Sequence, residues 1–436
     1  MSTLIIILFI IEFLLILNYF IKTLFNKGFT FKLGLSFAVL YFIFIPIWIL
    51  IITGKVDLVK IDFGWTSLTD VILEKDIKAS FLLILYLLGF IIYLYLFNFY
   101  KKKPLPEDKI EFKPNLKLYF IIYFVSFFII LIGSGLLEGG NWYSSRHSFL
   151  EKYGVLAVFT SFVMNSAKIL IISSIIYLWT DNQIKFRTFL IYILTFTLFD
   201  MFFTGNRIYL FATFAIIGLI LFKRYPLKIL IALPVLVPVV FYLGYFGAIF
   251  RHIRGPLFKE GIPTFKVFSK AVERAIHLDP PNITNFFLNI SESVNFNVIY
   301  NIFNRYDETL YGATYLKPLV YFVPRSVWAD KPESITKIAA NIFGSSSLVT
   351  TVIGEMHMNF AYLGILILPV ALLFIEYLFL KMRLDSPIYN YILFIMGILI
   401  VRMPFSDDIL IYIIITLIFY LSHMKFVFRN ERLQKT

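Results

Sequence analysis

The chain has 436 residues, of which 59% are apolar and only 15% are charged, and its formal net charge is +13. This number of polar side chains is too small to cover the surface of a water-soluble domain. The composition therefore excludes a soluble protein and predicts a membrane protein. The chain has no cysteine and its five histidines lack zinc-binding spacing. We therefore expect no disulfide, no metal and no redox cofactor.

Apolar segments long enough to cross a bilayer recur along the chain. Crossing about 30 Å of hydrocarbon takes roughly 20 helical residues, and this criterion predicts an all-α polytopic protein of about eleven transmembrane helices. The first segment lacks a signal-peptide cleavage pattern, so we expect it to remain as a helix. The predicted segments are 2–21, 33–53, 79–99, 117–136, 154–179, 187–203, 207–222, 228–249, 353–380, 388–405 and 409–426.

Lysine and arginine in the short loops predict the orientation of the bundle. With the N-terminus outside, the lysine block at 101–103, the turn at 223–228 and the basic C-terminal tail fall in the cytoplasm. The net positive charge is therefore explained by the orientation of the helices in the membrane, and we expect no nucleic-acid partner. The alternation leaves one extracytoplasmic segment at 250–352, between transmembrane regions at 1–249 and 353–436. Within that segment, apolar spacing predicts an amphipathic helix over 263–276 and a second helix over 290–303.

Charged residues in the first half of the chain lie within or next to predicted transmembrane helices, where burying a charge costs free energy. A charged side chain at the middle of a spanning helix costs about 2.5 to 3.5 kcal/mol on insertion scales. Lys168 lies near the centre of the fifth segment, where it indicates either an internal ion pair, a snorkelling side chain or a ligand contact. Arg207 follows the short sixth segment, and Asp200, two helical turns earlier, is a candidate ion-pair partner for it.

Five arginines gather at the predicted outer face of the membrane. Each alone would be read as an interfacial anchor, but together, without an equal set of acids, they indicate an anionic ligand. The planar guanidinium stays charged and can bind two phosphate oxygens at once, so a lipid-linked phosphate or diphosphate fits. An anion-conducting pore would not need so large an external segment. The five residues are Arg207, Arg251, Arg254, Arg325 and Arg402.

Two sequence blocks carry a family resemblance. The stretch YGATYLKPLVYFVPRSVWADKP at 311–332 resembles the signature of the Wzy-type oligosaccharide repeat-unit polymerases, in which an aromatic helix ends in Pro-Arg, a tryptophan and Lys-Pro. The stretch SSSLVTTVIGEMHMNFAYLGIL at 345–366 is similar to the second block of that family, and TGNR at 204–207 is similar to a weaker third one. The remainder of the chain is similar in hydropathy and in the position of the large external segment.

The resemblance implies a membrane glycosyltransferase in a GT-C-like bundle of the bacterial cytoplasmic membrane. The substrates would be undecaprenyl-diphosphate-linked oligosaccharides, as donor and acceptor, polymerised into O-antigen or exopolysaccharide by inverting transfer at the outer face without a metal. A chain-length-regulating co-polymerase is a partner that the resemblance leaves open. The alternatives are an O-antigen ligase, which takes a lipid A core as acceptor, and a lipid-linked oligosaccharide flippase, for which repeated halves would be expected.

The resemblance also implies roles for particular residues. Fixed cations would stabilise the departing diphosphate, and a general base would accept the proton of the attacking hydroxyl. Glu355 is the preferred base and His357 the alternative, and two residues so spaced on a helix face different sides. A capping or interfacial role remains an alternative for either. For the diphosphate we expect Arg325, Arg207 and Arg402 first, then Arg251 and Arg254; Asp279, Glu292, Asp307 and Glu308 remain unranked as bases.

Aromatic residues of the same segment are candidates for stacking on sugar rings. Trp328 and Tyr315 are the two that we assign to substrate binding, although an interfacial aromatic belt accounts equally for such residues. Asp330 and Lys331 are expected to fix the loop that carries Trp328. Lipid of the surrounding bilayer is the remaining expected partner.

Overall fold

The described part of the chain is built almost entirely from helices. A short antiparallel pair, β1 (Lys55–Val56) and β2 (Val71–Ile72), is the strand structure of this part. The computed structural model describes residues 2–57, 67–96, 114–134, 149, 152–204, 208–232, 234, 269, 273, 283–320, 323, 327–328, 330–344, 348–381 and 386–423.

Helices long and apolar enough to cross a bilayer number seven among the described residues, which makes the chain an all-α multi-pass membrane protein. Each predicted segment except 228–249, which lies mostly outside the described residues, overlaps a helix. The first helices are α1 (Ser2–Asn26), α2 (Phe31–Ala38), which continues through a π-helical turn into α3 (Phe44–Thr53), α4 (Ile77–Leu96), α5 (Leu116–Gly133), α6 (Val155–Thr180), α7 (Phe186–Thr204) and α8 (Ile208–Arg224).

The second half of the chain contains shorter helices followed by further spans. The shorter ones are α9 (Ile283–Ile290), α10 (Ser293–Arg305), α11 (Ala313–Val320) and α12 (Ile335–Phe343). The remaining ones are α13 (Thr351–Phe360), joined by one 3-10 turn to α14 (Gly364–Lys381), then α15 (Ile388–Arg402) and α16 (Phe405–His423).

Local signals in the sequence begin and end several of these helices. The Thr30 side chain accepts a hydrogen bond from the Leu33 backbone N–H at 3.1 Å, which caps the start of α2. Asn115 does the same for Leu118 at 3.2 Å at the start of α5. Gly54 ends α3 with φ at +75°, a conformation that glycine adopts without steric cost.

The centre of the bundle depends on a close crossing of α2 and α15. A Cβ added to Gly34 would lie 2.0 Å from the Phe394 carbonyl oxygen, and one added to Gly397 would lie 2.3 Å from that of Phe31. Glycine at both positions lets the two backbones touch, which is how helices pack closely when lipid supplies no hydrophobic driving force. Neither position therefore tolerates a side chain.

The loops collect at two opposite ends of the bundle. At one end, which we call the elaborated end, the described residues of 54–76, 291–344 and 402–408 meet. For example, Asn297 Nδ2 donates to the Val56 carbonyl at 3.2 Å. At the other end, Lys32 Nζ donates to the Tyr93 carbonyl at 3.3 Å. This grouping agrees with the alternation of loops that the sequence predicts.

One helix of the segment predicted to be extracytoplasmic agrees closely with its prediction. The helix predicted over 290–303 is α10, which begins at Ser293 and ends at Arg305; a break at Glu292, whose backbone is left-handed (φ 51°, ψ 46°), separates it from α9. Helix α10 holds the β1–β2 hairpin to the bundle, since the Asn301 side-chain oxygen accepts from the Thr69 N–H at 3.2 Å. The predicted amphipathic helix over 263–276 lies, apart from residues 269 and 273, outside the described residues.

Candidate functional site

Glu355 is completely buried on α13, where its carboxylate joins three helices. One oxygen, Oε1, accepts a hydrogen bond from the Thr314 hydroxyl of α11 at 2.9 Å. The other, Oε2, accepts from the backbone N–H of Phe405 at 2.6 Å. Because Phe405 is the first residue of α16, the carboxylate caps the positive end of that helix dipole. Both oxygens of the predicted base are therefore occupied by protein groups.

Asn359, one turn further along α13, completes this network. Its side-chain amide donates to the Thr314 hydroxyl oxygen at 2.7 Å and to the Glu355 carbonyl at 2.8 Å. Thr314 thus accepts from Asn359 and donates its only hydroxyl proton to Glu355. The result is a closed chain of hydrogen bonds that holds α11 against α13.

His357 points away from this network. Its Nδ1 lies 3.3 Å from the Tyr86 hydroxyl of α4, and its ring contacts the Phe303 ring edge-on, with the centroids 4.8 Å apart. The Tyr86 hydroxyl donates its only proton to the Ala361 carbonyl at 3.1 Å, so it is left to accept from an Nδ1–H. Glu355 and His357 do face different helices, as their spacing predicts.

Arg402 ends α15 and forms a two-pronged ion pair with Glu292. Its Nε donates to Glu292 Oε2 at 2.6 Å and its Nη2 donates to Oε1 at 3.0 Å. The side chains are 17% and 22% exposed. The guanidinium thus presents its fork to a carboxylate at the elaborated end, in the geometry that it would also use for a phosphate.

Glu292 reaches Arg402 from a strained backbone position. Left-handed φ and ψ are uncommon for residues other than glycine and cost about 1 to 3 kcal/mol when the surroundings impose them. The strained residue lies between α9 and α10 and directs its carboxylate toward the end of α15. From the sequence, Glu292 is one of four unranked candidate bases, and the structure shows it as the partner of Arg402.

Asp408, on the first turn of α16, is a second buried acid near Glu355. It is fully buried, and neither carboxylate oxygen has a hydrogen-bond partner among the described residues. The charges of Asp407, Glu355 and Arg402 all act on it. The first turn of a helix favours negative charge, which offsets part of the burial cost. No signal in the sequence would place Asp408 beside Glu355, because the two residues come from different helices.

Lys168 has a protein partner, so the ion-pair alternative is the one that the structure shows. Its Nζ lies 2.7 Å from Asp200 Oδ1, with the two side chains 1% and 4% exposed. The Tyr123 hydroxyl donates to the same oxygen at 2.9 Å. The candidate pairing of Asp200 with Arg207 stays a prediction, because Arg207 lies outside the described residues. In this conformation Lys168 is bound by protein groups, and its predicted contact with substrate stays a prediction.

The two aromatic candidates differ in exposure. Tyr315 packs its ring against Phe360 and Phe405, at centroid distances of 5.7 and 4.9 Å, so its position does not suit stacking on a sugar. Burial raises the pKa of the Tyr315 hydroxyl well above its usual range. Trp328 is 41% exposed and remains accessible.

The loop that carries Trp328 is fixed as the sequence predicts for Lys331. Its Nζ donates to the Val323 carbonyl at 3.0 Å and closes the loop on itself. The predicted diphosphate ligands Arg207, Arg251, Arg254 and Arg325 lie outside the described residues. Of the five arginines, Arg402 is thus the one whose surroundings are known.

Comparisons with known protein families, with curated proteins and with solved structures find no match. The hypothesis about function therefore rests on the residues of the two sequence blocks and on the geometry described above.

Proposed function

We propose that this chain is a membrane glycosyltransferase that polymerises undecaprenyl-diphosphate-linked oligosaccharide repeat units at the outer face of the bacterial cytoplasmic membrane. The observation that carries the proposal is the bidentate grip of Arg402 on an oxyanion group, partly exposed at the elaborated end. The resemblance of 311–332 and 345–366 to the repeat-unit polymerases supports the choice of substrate. The proposal includes eleven spans in a GT-C-like bundle, with 228–249 as the eighth.

The reaction is an inverting displacement at the anomeric carbon of the growing glycan. A hydroxyl oxygen of the incoming repeat unit forms the new glycosidic bond while the bond from the anomeric carbon to the diphosphate oxygen breaks. The diphosphate leaves with the bonding electron pair, and the hydroxyl proton passes to a base. Arg402 stabilises the negative charge that develops on the leaving oxygen. Arg325, Arg207, Arg251 and Arg254 are its proposed companions.

Glu355 is the proposed base because it lies on the side of α13 that faces the start of α16, three residues after Arg402. Its Oε1 now accepts the Thr314 hydroxyl proton, which is the same interaction that an acceptor sugar hydroxyl would make. Productive binding therefore requires that a sugar hydroxyl replace the Thr314 hydroxyl. His357, which faces α4 instead, is assigned a packing role.

Donor binding requires a similar exchange at Arg402. Its guanidinium is already filled by the Glu292 carboxylate, so a diphosphate must take over the two N–H groups. Both side chains keep some exposure to solvent, so the exchange does not leave a lone charge sealed in the interior. Glu292 would then serve as the resting counter-ion of the site.

The test is genetic and uses the surface glycan of a host that carries the matching biosynthetic cluster. In a strain that lacks this gene, we expect the Arg402→Ala variant to abolish long-chain polymer while single repeat units still reach the surface. Arg305→Ala is the matched control, because Arg305 also ends a helix at the elaborated end but contacts the 67–69 loop. That variant should make polymer of normal length.

Two results would count against the proposal. Normal polymer from the Arg402→Ala variant would remove Arg402 from the site. Loss of single repeat units together with polymer, in the deletion strain itself, would indicate a flippase or a ligase instead. Immunoblotting of membrane fractions for each variant distinguishes lost activity from lost protein.

A further inference from the structure

Helix α11 and the loop after it expose large apolar side chains although they belong to the external segment. Leu316 and Leu319 are 54% and 78% exposed, and Val327 in the following loop is 76% exposed. Trp328 and Tyr311 flank them and are also exposed. We call these five residues the apolar ridge. In a water-facing segment such a cluster would be unfavourable, because each buried Leu or Val side chain is worth about 1.5 to 3 kcal/mol.

The opposite face of α11 is fixed against the bundle. Thr314 is buried and hydrogen-bonded to Glu355, and Pro318, one turn later, is also buried. Leu316 and Leu319 lie roughly opposite these two residues at 100° per residue. The outward direction of the apolar ridge therefore follows from contacts that anchor the helix.

Helix α12 in the same external segment shows the pattern expected for water. It buries Ile335, Ala339 and Phe343 on one face, while Lys337 on another face is exposed and pairs with Glu333. The segment thus contains enough inward-facing apolar residues to make an ordinary amphipathic helix. The outward-facing leucines of α11 are a different arrangement, so their surroundings should differ too.

The apolar ridge begins beside the surface of a membrane-spanning helix. A Cβ on Gly312 would lie 3.3 Å from the Phe360 ring, which places the start of α11 against the junction of α13 and α14. The first residues after that junction, Tyr362, Leu363 and Leu366, are 57%, 66% and 71% exposed. Since α14 belongs to a span, its exposed apolar side chains face lipid.

We infer that α11 is an interfacial helix whose apolar ridge is immersed in the lipid leaflet at the elaborated end. Continuity with the lipid-facing side of α14 selects lipid hydrocarbon as the occupant. Tyr311 and Trp328 are residue types enriched at the headgroup level of membranes. A helix that lies in this plane buries its apolar face by several ångströms at the headgroup boundary. This assignment does not depend on the proposed enzymatic activity.

Site-directed spin labelling of the full chain in liposomes tests the inference. Because the natural sequence has no cysteine, a single Cys substitution carries the nitroxide at one known position. We expect labels from Leu316→Cys and Leu319→Cys to be relaxed by apolar oxygen and shielded from water-soluble Ni-EDDA. Val370→Cys, exposed on α14, is the lipid-facing control, and Lys337→Cys on α12 is the water-facing control.

The accessibility ratios of the two controls are the reference values for lipid and for water. Ratios of oxygen to nickel accessibility at 316 and 319 near that of position 370 support immersion in lipid. Ratios near that of position 337 would overturn the inference and place α11 in water. Shielding from both reagents would overturn it as well, because a second copy of the chain or another protein would then cover the ridge. Both leucines are exposed, so their substitution leaves the packed face of α11 intact.

Discussion

Two ion pairs of this protein use similar chemistry in different surroundings. Lys168 and Asp200 meet inside the bundle with almost no exposed surface, whereas Arg402 and Glu292 meet at the elaborated end with about a fifth of each side chain exposed. If a fully buried ion pair separates, each residue becomes a lone charge in the protein interior. A partly exposed pair can separate because solvent reaches both residues. The exposure of the side chains, more than the energetic cost of burying the charge, is therefore our reason to assign a structural role to Lys168 and to propose a ligand-binding role for Arg402.

Breaking the sealed pair should have the largest effect on stability. In Lys168→Met, Asp200 keeps its charge without its counter-ion, and such a loss costs about 3 to 5 kcal/mol. We expect a large decrease in the thermal unfolding temperature of the detergent-solubilised protein and little folded material. Fluorescence-detected size-exclusion chromatography after heating measures the decrease.

Lys168→Met combined with Asp200→Asn is the control for that prediction. The double variant removes both charges, and Asn can still accept the hydrogen bond from Tyr123. Most of the stability should therefore return. A double variant that is stable but makes no polymer would show that Lys168 contacts substrate after all.

Glu355 is as deeply buried as Lys168 but lies at the elaborated end, so it tests whether a buried charged residue can take part in transfer. Glu355→Gln keeps the shape, and its amide oxygen can still accept from the Phe405 N–H. If Glu355 is the base, transfer should fall by about 10² to 10⁴-fold, the usual contribution of a general base. Transfer of labelled repeat units between lipid-linked donors and acceptors measures this.

His357→Gln is the matched comparison for that variant. His357 contacts Tyr86 and Phe303, so we expect folding to weaken somewhat and transfer per folded molecule to remain. The reverse result, with His357→Gln inactive and Glu355→Gln active, would exchange the two roles. Equal activity in both would leave Glu355 as a helix cap.

Hydropathy predicted the helices well because the requirement of the bilayer is local: about 20 apolar residues in a row satisfy it. Ion pairs do not obey such a local rule. Asp200 has Arg207 near it in sequence, yet its partner Lys168 comes from another helix. Arg402 pairs with Glu292, which is 110 residues earlier. A sequence can show that a charge needs a partner, but the packing of the helices selects which one.

The site illustrates the same limit. The block at 345–366 makes Glu355 a candidate, but the hydrogen bonds of its carboxylate depend on where α16 begins and how α11 packs. The packing of Tyr315 is a second case, since only the fold brings Phe360 and Phe405 onto its ring. Lys331 was predicted correctly because its contact with Val323 is made within one loop.

Replacing Arg402 by Lys tests whether the two parallel N–H groups of the guanidinium are needed for transfer. The substitution keeps the positive charge but removes the two parallel N–H groups that now bind Glu292. We expect transfer to fall by about 10-fold or more, since one lost charge-assisted hydrogen bond is worth about 1.5 kcal/mol or more, with the unfolding temperature nearly unchanged. A variant with unaltered transfer would show that charge alone is needed.

The smallest effect is expected from Glu292→Gln, and its direction decides how the accessible pair works. If Glu292 is a resting counter-ion, its neutral replacement competes less for Arg402, so inorganic pyrophosphate should inhibit transfer at a lower concentration. Gln can still accept a hydrogen bond from the guanidinium, so the gain corresponds to the difference between a charge-assisted and a neutral hydrogen bond, about 1 kcal/mol or about 5-fold. If Glu292 instead holds Arg402 in position, inhibition should weaken. Glu333→Gln on α12 removes the acid of a surface pair at the same end and should leave inhibition unchanged. A gain in affinity confined to Glu292→Gln would therefore separate exchange of partners from a general change in charge.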